Sequence, residues 1–77
     1  MERFYFDLYN TDNSQLDPEG QLFATREHAG MEALRILHDV ALDEMPAGKH
    51  LKITVKVRDE EKKQIFEASL TLSSAWT

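Results

Sequence analysis

The sequence has no cysteine, only three glycines and two prolines, and no long apolar run. Without cysteine there is neither a disulfide framework nor a thiolate zinc site. Three scattered glycines build no phosphate-cradling loop, and no serine stands in a glycine-flanked elbow. No stretch nears the roughly 20 apolar residues that span a bilayer. The start, Met1-Glu2-Arg3-Phe4, lacks the apolar core of a signal peptide. Positive charge is scarce as well, with nine bases against fourteen acids. A net charge of −5 argues against general affinity for nucleic acid or anionic lipid. These shortages predict a cytoplasmic protein that is not an enzyme and has no cofactor, catalytic residue or metal site.

What is present suits one domain. At 77 residues, 42% hydrophobic and 30% charged, the chain is too short for two domains and too apolar for disorder. A chain this short buries only about 60% of its unfolded surface. Small domains compensate with disulfides, metals or oligomerisation. With disulfides excluded, good packing or a second subunit remains, which raises the expectation of a homodimer.

Periodicity gives the elements. Residues 3–9 alternate as a strand, with Phe4, Phe6 and Leu8 facing in and Tyr5, Asp7 and Tyr9 facing out. Residues 10–20 are rich in Asn, Asp, Ser, Pro and Gly and read as a loop ending in the turn Asp17-Pro18-Glu19-Gly20. A short strand at Gln21–Ala24 returns along the first, with Leu22 and Ala24 inward. Thr25 caps a helix, and Glu27 lies in its first turn. Ala29, Ala33, Leu34, Leu37, Val40, Ala41 and Met45 form the apolar stripe, which Ile36 widens. Gly30 costs about 1 kcal/mol there relative to Ala and marks a close approach to the sheet. Pro46 and Gly48 end the helix.

Residues 51–58 alternate with Leu51, Ile53, Val55 and Val57 inward and Lys52, Thr54, Lys56 and Arg58 outward. After a charged turn, Asp59 to Lys63, residues 64–72 place Phe66, Ala68, Leu70 and Leu72 inward and Ile65, Glu67, Ser69 and Thr71 outward. The fold class is α+β, in the order ββαββ. It is a four-stranded, mainly antiparallel sheet with one helix on one face and the other face wet. The Phe-rich first strand suits a central place, giving the spatial order 2-1-3-4.

Candidate sites are few. His28 and His38 stand ten residues apart on the helix, not the three or four a metal pair needs, and His50 lies elsewhere. A calcium loop counted from Asn10 would put Gln15 where Gly belongs and Gln21 where an acid belongs. The charge is uneven. Residues 1–45 hold ten acids against three bases, and residues 46–77 hold six bases against four acids. The outer sheet face is therefore the candidate partner-binding surface, through Tyr5, Tyr9, Lys52, Lys56 and Arg58. Aromatics interleaved with bases resemble platforms that stack single-stranded nucleic acid. The first expectation is a non-enzymatic protein-interaction module or homodimer, acting through the sheet face or an edge strand. The alternative is a nucleic-acid-binding or antitoxin-like regulator using the open face, and a third is a small-molecule or metal-binding accessory domain. Trp76 is expected to pack within the domain or its dimer.

The chain resembles a family of very short, mostly alphaproteobacterial proteins classed as a domain of unknown function. The likeness runs from Arg3-Phe4-Tyr5-Phe6 and Leu8 through Asp17-Pro18-Glu19-Gly20 and Ala29 with Glu32-Ala33-Leu34-Arg35. It closes on Val57-Arg58-Asp59-Glu60 and Ile65-Phe66. The resemblance implies the same architecture in a bacterial cytoplasm, and carries no assigned activity, cofactor or site residue. The family's second turn often has a Gly near Lys62, and its helix is commonly richer in Ala where this chain has Gly30.

Overall fold

The computed structural model describes residues 1–11, 13–44 and 50–77. The elements are β1 (Glu2–Tyr9), β2 (Ser14–Gln15), β3 (Gln21–Phe23), α1 (Arg26–Glu44), β4 (His50–Arg58) and β5 (Gln64–Ser73). The order β2-β1-β4-β5 is antiparallel throughout, with β3 also paired to β1. β1 is central, as its phenylalanines suggest.

The loop read at residues 10–20 contains the two-residue strand β2, so the sheet has five strands rather than four. β2 meets β1 at Leu8 and Tyr9, while β3 meets it at Glu2, Arg3 and Phe4. They form one return strand interrupted in the middle. Gly20 turns the chain back toward β1 at φ +69°, and a Cβ there would stand 2.8 Å from the Phe4 carbonyl oxygen. Only glycine fits both constraints.

One helix covers one face. Its N-terminus is fixed by the expected cap: the His28 amide donates to Thr25 Oγ1 at 3.1 Å. Ala29, Gly30, Ala33, Leu37 and Ala41 are its buried residues. They meet Phe4, Phe6, Ile53, Val55 and Val57 from β1 and β4. Gly30 is where helix and sheet come close, since a Cβ there would lie 3.5 Å from the Phe66 ring. The expected helix end at Pro46 and Gly48, and the place of Met45, fall outside the described residues.

Several expected faces are corrected. Leu22 and Ala24 are exposed, and Phe23 turns inward instead, its ring 6.2 Å from Phe4 and 5.7 Å from Phe6. Leu34, placed on the apolar stripe, is 52% exposed, because the helix leans over β4 and leaves this flank above β5. Ile65 packs against the core rather than facing water. The β4–β5 register slips beside Val57 and Arg58, so Phe66 faces Val57, Gln64 faces Arg58, and Ile65 is the extra residue. Asp7, expected in solvent, is 3% exposed. Trp76 does not pack within the domain and is fully exposed.

The β4–β5 hairpin outruns β1, whose pairing to β4 stops at Thr54. The molecule is accordingly elongated, 49 × 20 × 17 Å. Its radius of gyration is 13.6 Å, against about 11.5 Å for a compact chain of this length. Among the described residues no helix is long and apolar enough to cross a membrane.

Candidate interaction face

On the uncovered face, strand pairing brings the predicted residues together. Tyr5 stands opposite Arg58, Asp7 opposite Lys56 and Tyr9 opposite Thr54. The bases do not stand free beside the rings. The Arg58 guanidinium lies 5.0 Å from the Tyr5 ring centre and the Lys56 ammonium 4.9 Å from that of Tyr9. Lys56 also approaches Glu67 at 3.9 Å. Lys52 lines a shallow depression of about 370 Å³ with Tyr9, Asn10, Thr11 and Thr54.

The organising group is one that periodicity assigned to solvent. Asp7 accepts from Arg58 Nε at 2.6 Å and from Arg58 Nη2 at 3.0 Å, a bidentate pair. The same carboxylate accepts from the Asp17 amide at 3.0 Å, and Arg58 donates to the Asp17 carbonyl oxygen at 3.2 Å. The Asp7 bond holds the Arg58 guanidinium above its ordinary pKa, against the opposing effect of burial. The loop strapped across this end by Asp17 buries Asp7, with every buried polar side-chain atom among the described residues satisfied.

Asp17 seals the gap between β2 and β3. One carboxylate oxygen accepts from the Phe6 amide at 3.2 Å, and the other from the amides of Glu19 and Gly20. Partial burial pushes this carboxyl upward. The amides of Gly20, Phe6 and Glu19 and the nearby Arg58 charge outweigh that and hold it below its usual value. The acid read in the sequence as part of a solvated turn is therefore the side chain that replaces missing strand pairing.

The other candidates stay scattered. His28, His38 and His50 are exposed, and His38 Nδ1 lies 3.5 Å from Asp39 Oδ1. Among the described residues no three His, Cys, Asp or Glu gather as a metal site would require. Asp12 of the acidic loop lies outside them.

Sequence reasoning allowed for an edge strand and placed the last strand at the edge, but it named no residue there and missed the groove beside it. β5 runs ten residues with β4 on one side and, among the described residues, no strand on the other. It contains one charge, Glu67, and no proline or glycine. Its helix-side residues are only partly covered, and Leu70 is 38% exposed. Above its Phe66 end, Arg26, Glu27, Gly30, Met31, Leu34 and Phe66 enclose an apolar groove of about 330 Å³. The signal was available: Leu34, Met31 and Gly30 follow helical spacing on one flank, and β5 ends the chain of pairings.

The architecture defines a small α+β domain, an open antiparallel sheet carrying one helix. The chain belongs to the family described as Domain of unknown function (DUF6894), whose family model matches residues 3–71. No curated protein and no solved structure matches it. Lys62 adopts φ 67° in the β4–β5 turn, a left-handed conformation that favours glycine.

Proposed function

We propose that this domain is a non-enzymatic protein-interaction module of the bacterial cytoplasm that binds through the open β5 edge and the apolar groove beside it. The observation that carries the reading is the edge itself. Edge strands of soluble proteins are blunted by charges, proline, bulges or brevity. From Glu67 to Ser73, β5 has only the charge of Glu67, already beside Lys56, and its bulge lies at the other end. A strand that adds to such an edge gains main-chain hydrogen bonds, and pockets for alternate side chains give it specificity. The half-covered Phe66, Leu70 and Leu72 and the groove under Leu34 supply those pockets.

The Tyr5, Tyr9, Lys52, Lys56 and Arg58 face supports nucleic-acid binding less well. A stacking platform offers open rings, whereas Tyr5 and Tyr9 are partly occupied by the protein's own cations. The Asp7 carboxylate among them also weakens attraction for phosphate.

The test is capture from host lysate, with partners identified by mass spectrometry, using three proteins. The parent is compared with Ser69→Lys on the edge, and with the face variant Tyr5→Ala, Lys52→Glu and Lys56→Glu. Each is first shown to melt cooperatively. The expected result is a partner retained by the face variant and lost by Ser69→Lys. Loss by the face variant alone, with nucleic acid in the parent eluate that salt removes, would replace this reading with the alternative.

A further inference from the structure

We propose that the occupant of the β5 edge is a second copy of this chain. The two copies pair β5 against β5, antiparallel, about a two-fold axis at Ser69, and each seats its Trp76 in the other's groove at Phe66 and Gly30. This deepens the edge-binding reading and rests on it.

Reach is the first argument. Trp76 is fully exposed, three residues beyond the end of β5. The apolar groove of about 330 Å³, with Arg26 at its rim, lies at the opposite end of β5 over Phe66. Phe66 and Ser73 are seven residues apart on that strand, which is about 23 Å at ~3.3 Å per residue. Residues 74 to 76 extend at most about 10 Å, so Trp76 cannot turn back into its own groove. With Ser69 on the axis the partner's Leu72 lies opposite this chain's Phe66, and the residues that follow its Ser73 are long enough to turn from there up into the groove.

Self-complementarity is the second. With Ser69 on the axis, Phe66 faces the partner's Leu72 and Ala68 faces the partner's Leu70 on the helix side. On the wet side Glu67 faces the partner's Thr71. Within each copy Lys56 pairs with Glu67 and Lys52 with Thr71. The joined sheet therefore reads Lys56, Glu67, the partner's Thr71, the partner's Lys52, with a lysine on either side of each glutamate. An axis at Glu67 would set the two glutamates directly opposite, which is unfavourable. Charge thus excludes the register centred on Glu67.

Need is the third. Among the described residues the core holds nine buried apolar side chains, three of them alanine. With no cysteine for a disulfide, a second subunit is the remaining route to a larger core.

The test combines sedimentation with the emission of the single tryptophan. The parent should sediment as a dimer, and its emission should move to shorter wavelength as concentration rises. Ser69→Lys sets two cations against each other on the axis and should yield a folded monomer with the emission of exposed indole. Trp76→Ala should weaken the dimer at least about tenfold. Ser69→Cys, whose thiols meet on the axis, should crosslink under mild oxidation much faster than Lys52→Cys on the same face. A parent that stays monomeric up to its solubility limit, with constant emission, overturns the proposal. So does a dimer that withstands Ser69→Lys and is not crosslinked by Ser69→Cys. If the monomeric parent captures a different protein that Ser69→Lys loses, the second copy is wrong and the edge reading stands. If that capture is indifferent to Ser69→Lys, both fall.

Discussion

The two long edges of the sheet are finished in opposite ways. On the β1 side the chain folds back as β2 and β3, and the Asp17 carboxylate accepts the Phe6 amide where the return strand breaks. Asp7 and Arg58 strap that return to the face of the sheet, and Gly20 permits the turn. On the β5 side, among the described residues, nothing lies beyond the strand. One edge is sealed with polar side chains at the cost of burying charge, and the other keeps its main chain and half-covered apolar residues available. Function is therefore better sought where the fold has left its bonding unused than where tyrosines and cations are conspicuous but already paired.

The largest effect falls on what both edges share. Leu37 sits in the core between helix and sheet at 6% exposure, and Leu37→Asp places an unpaired charge there. The expected cost is several kcal/mol, enough to abolish folding of a domain this small. A melt like the parent's would contradict the helix placement.

Breaking the seal should cost less and separate the two edges. Asp7→Ala leaves the Arg58 guanidinium and the Asp17 amide without their acceptor. Removing one member of a fully buried pair costs about 3–5 kcal/mol. The Arg58 side chain is 26% exposed, so water reduces this to about 2–3 kcal/mol. Glu67→Ala on the open edge should change the stability of the monomer by less than about 0.5 kcal/mol. Equal losses in denaturant melts of the two variants would erase the distinction between the edges.

Acid should act on the seal through Asp17. Its folded pKa is depressed, so its contribution is fully present above the unfolded value near 3.8 and is lost as pH falls through the lower folded value. Stability below about pH 4 should therefore fall less steeply in Asp17→Asn than in the parent. Parallel acid melts would remove Asp17 from the account.

The smallest effects are gains. Lys62 holds a left-handed conformation that a side chain disfavours, and Lys62→Gly should stabilise by about 0.5–1 kcal/mol. Gly30→Ala should gain up to about 1 kcal/mol from helix propensity, since its Cβ would meet Phe66 at ordinary contact distance. A loss at Gly30 would mean that the helix lies closer to β5 than described.

Much of this was legible in the residue pattern. The alternation of β1, β4 and β5 and the capped helix are local signals, and they place the strands and the central position of β1. What escaped were effects with no period. Three residues of β3 are too few to decide whether Leu22 or Phe23 faces in. Ile65 reads as outward until the slip beside Arg58 adds a residue to one strand. Asp7 alternates with Phe6 and Leu8 as a wet-face residue should. Nothing in that alternation says that Asp17, ten residues on, will cover it, although an aspartate inside a strand is itself uncommon. Of the candidate face, the sequence located all five residues on one side of the sheet, but it did not reveal that two cations were already engaged with the two rings.

Residue-resolved amide hydrogen exchange, in dilute and in concentrated solution, bears most directly on the contrast between the edges. The account predicts that the Phe6 amide, bonded to Asp17, is protected at both concentrations. Alternate amides of β5, those pointing away from β4, should exchange freely in dilute solution and gain protection as the protein is concentrated. Protection of the whole of β5 in dilute solution, or free exchange of its outer amides at every concentration, would contradict it.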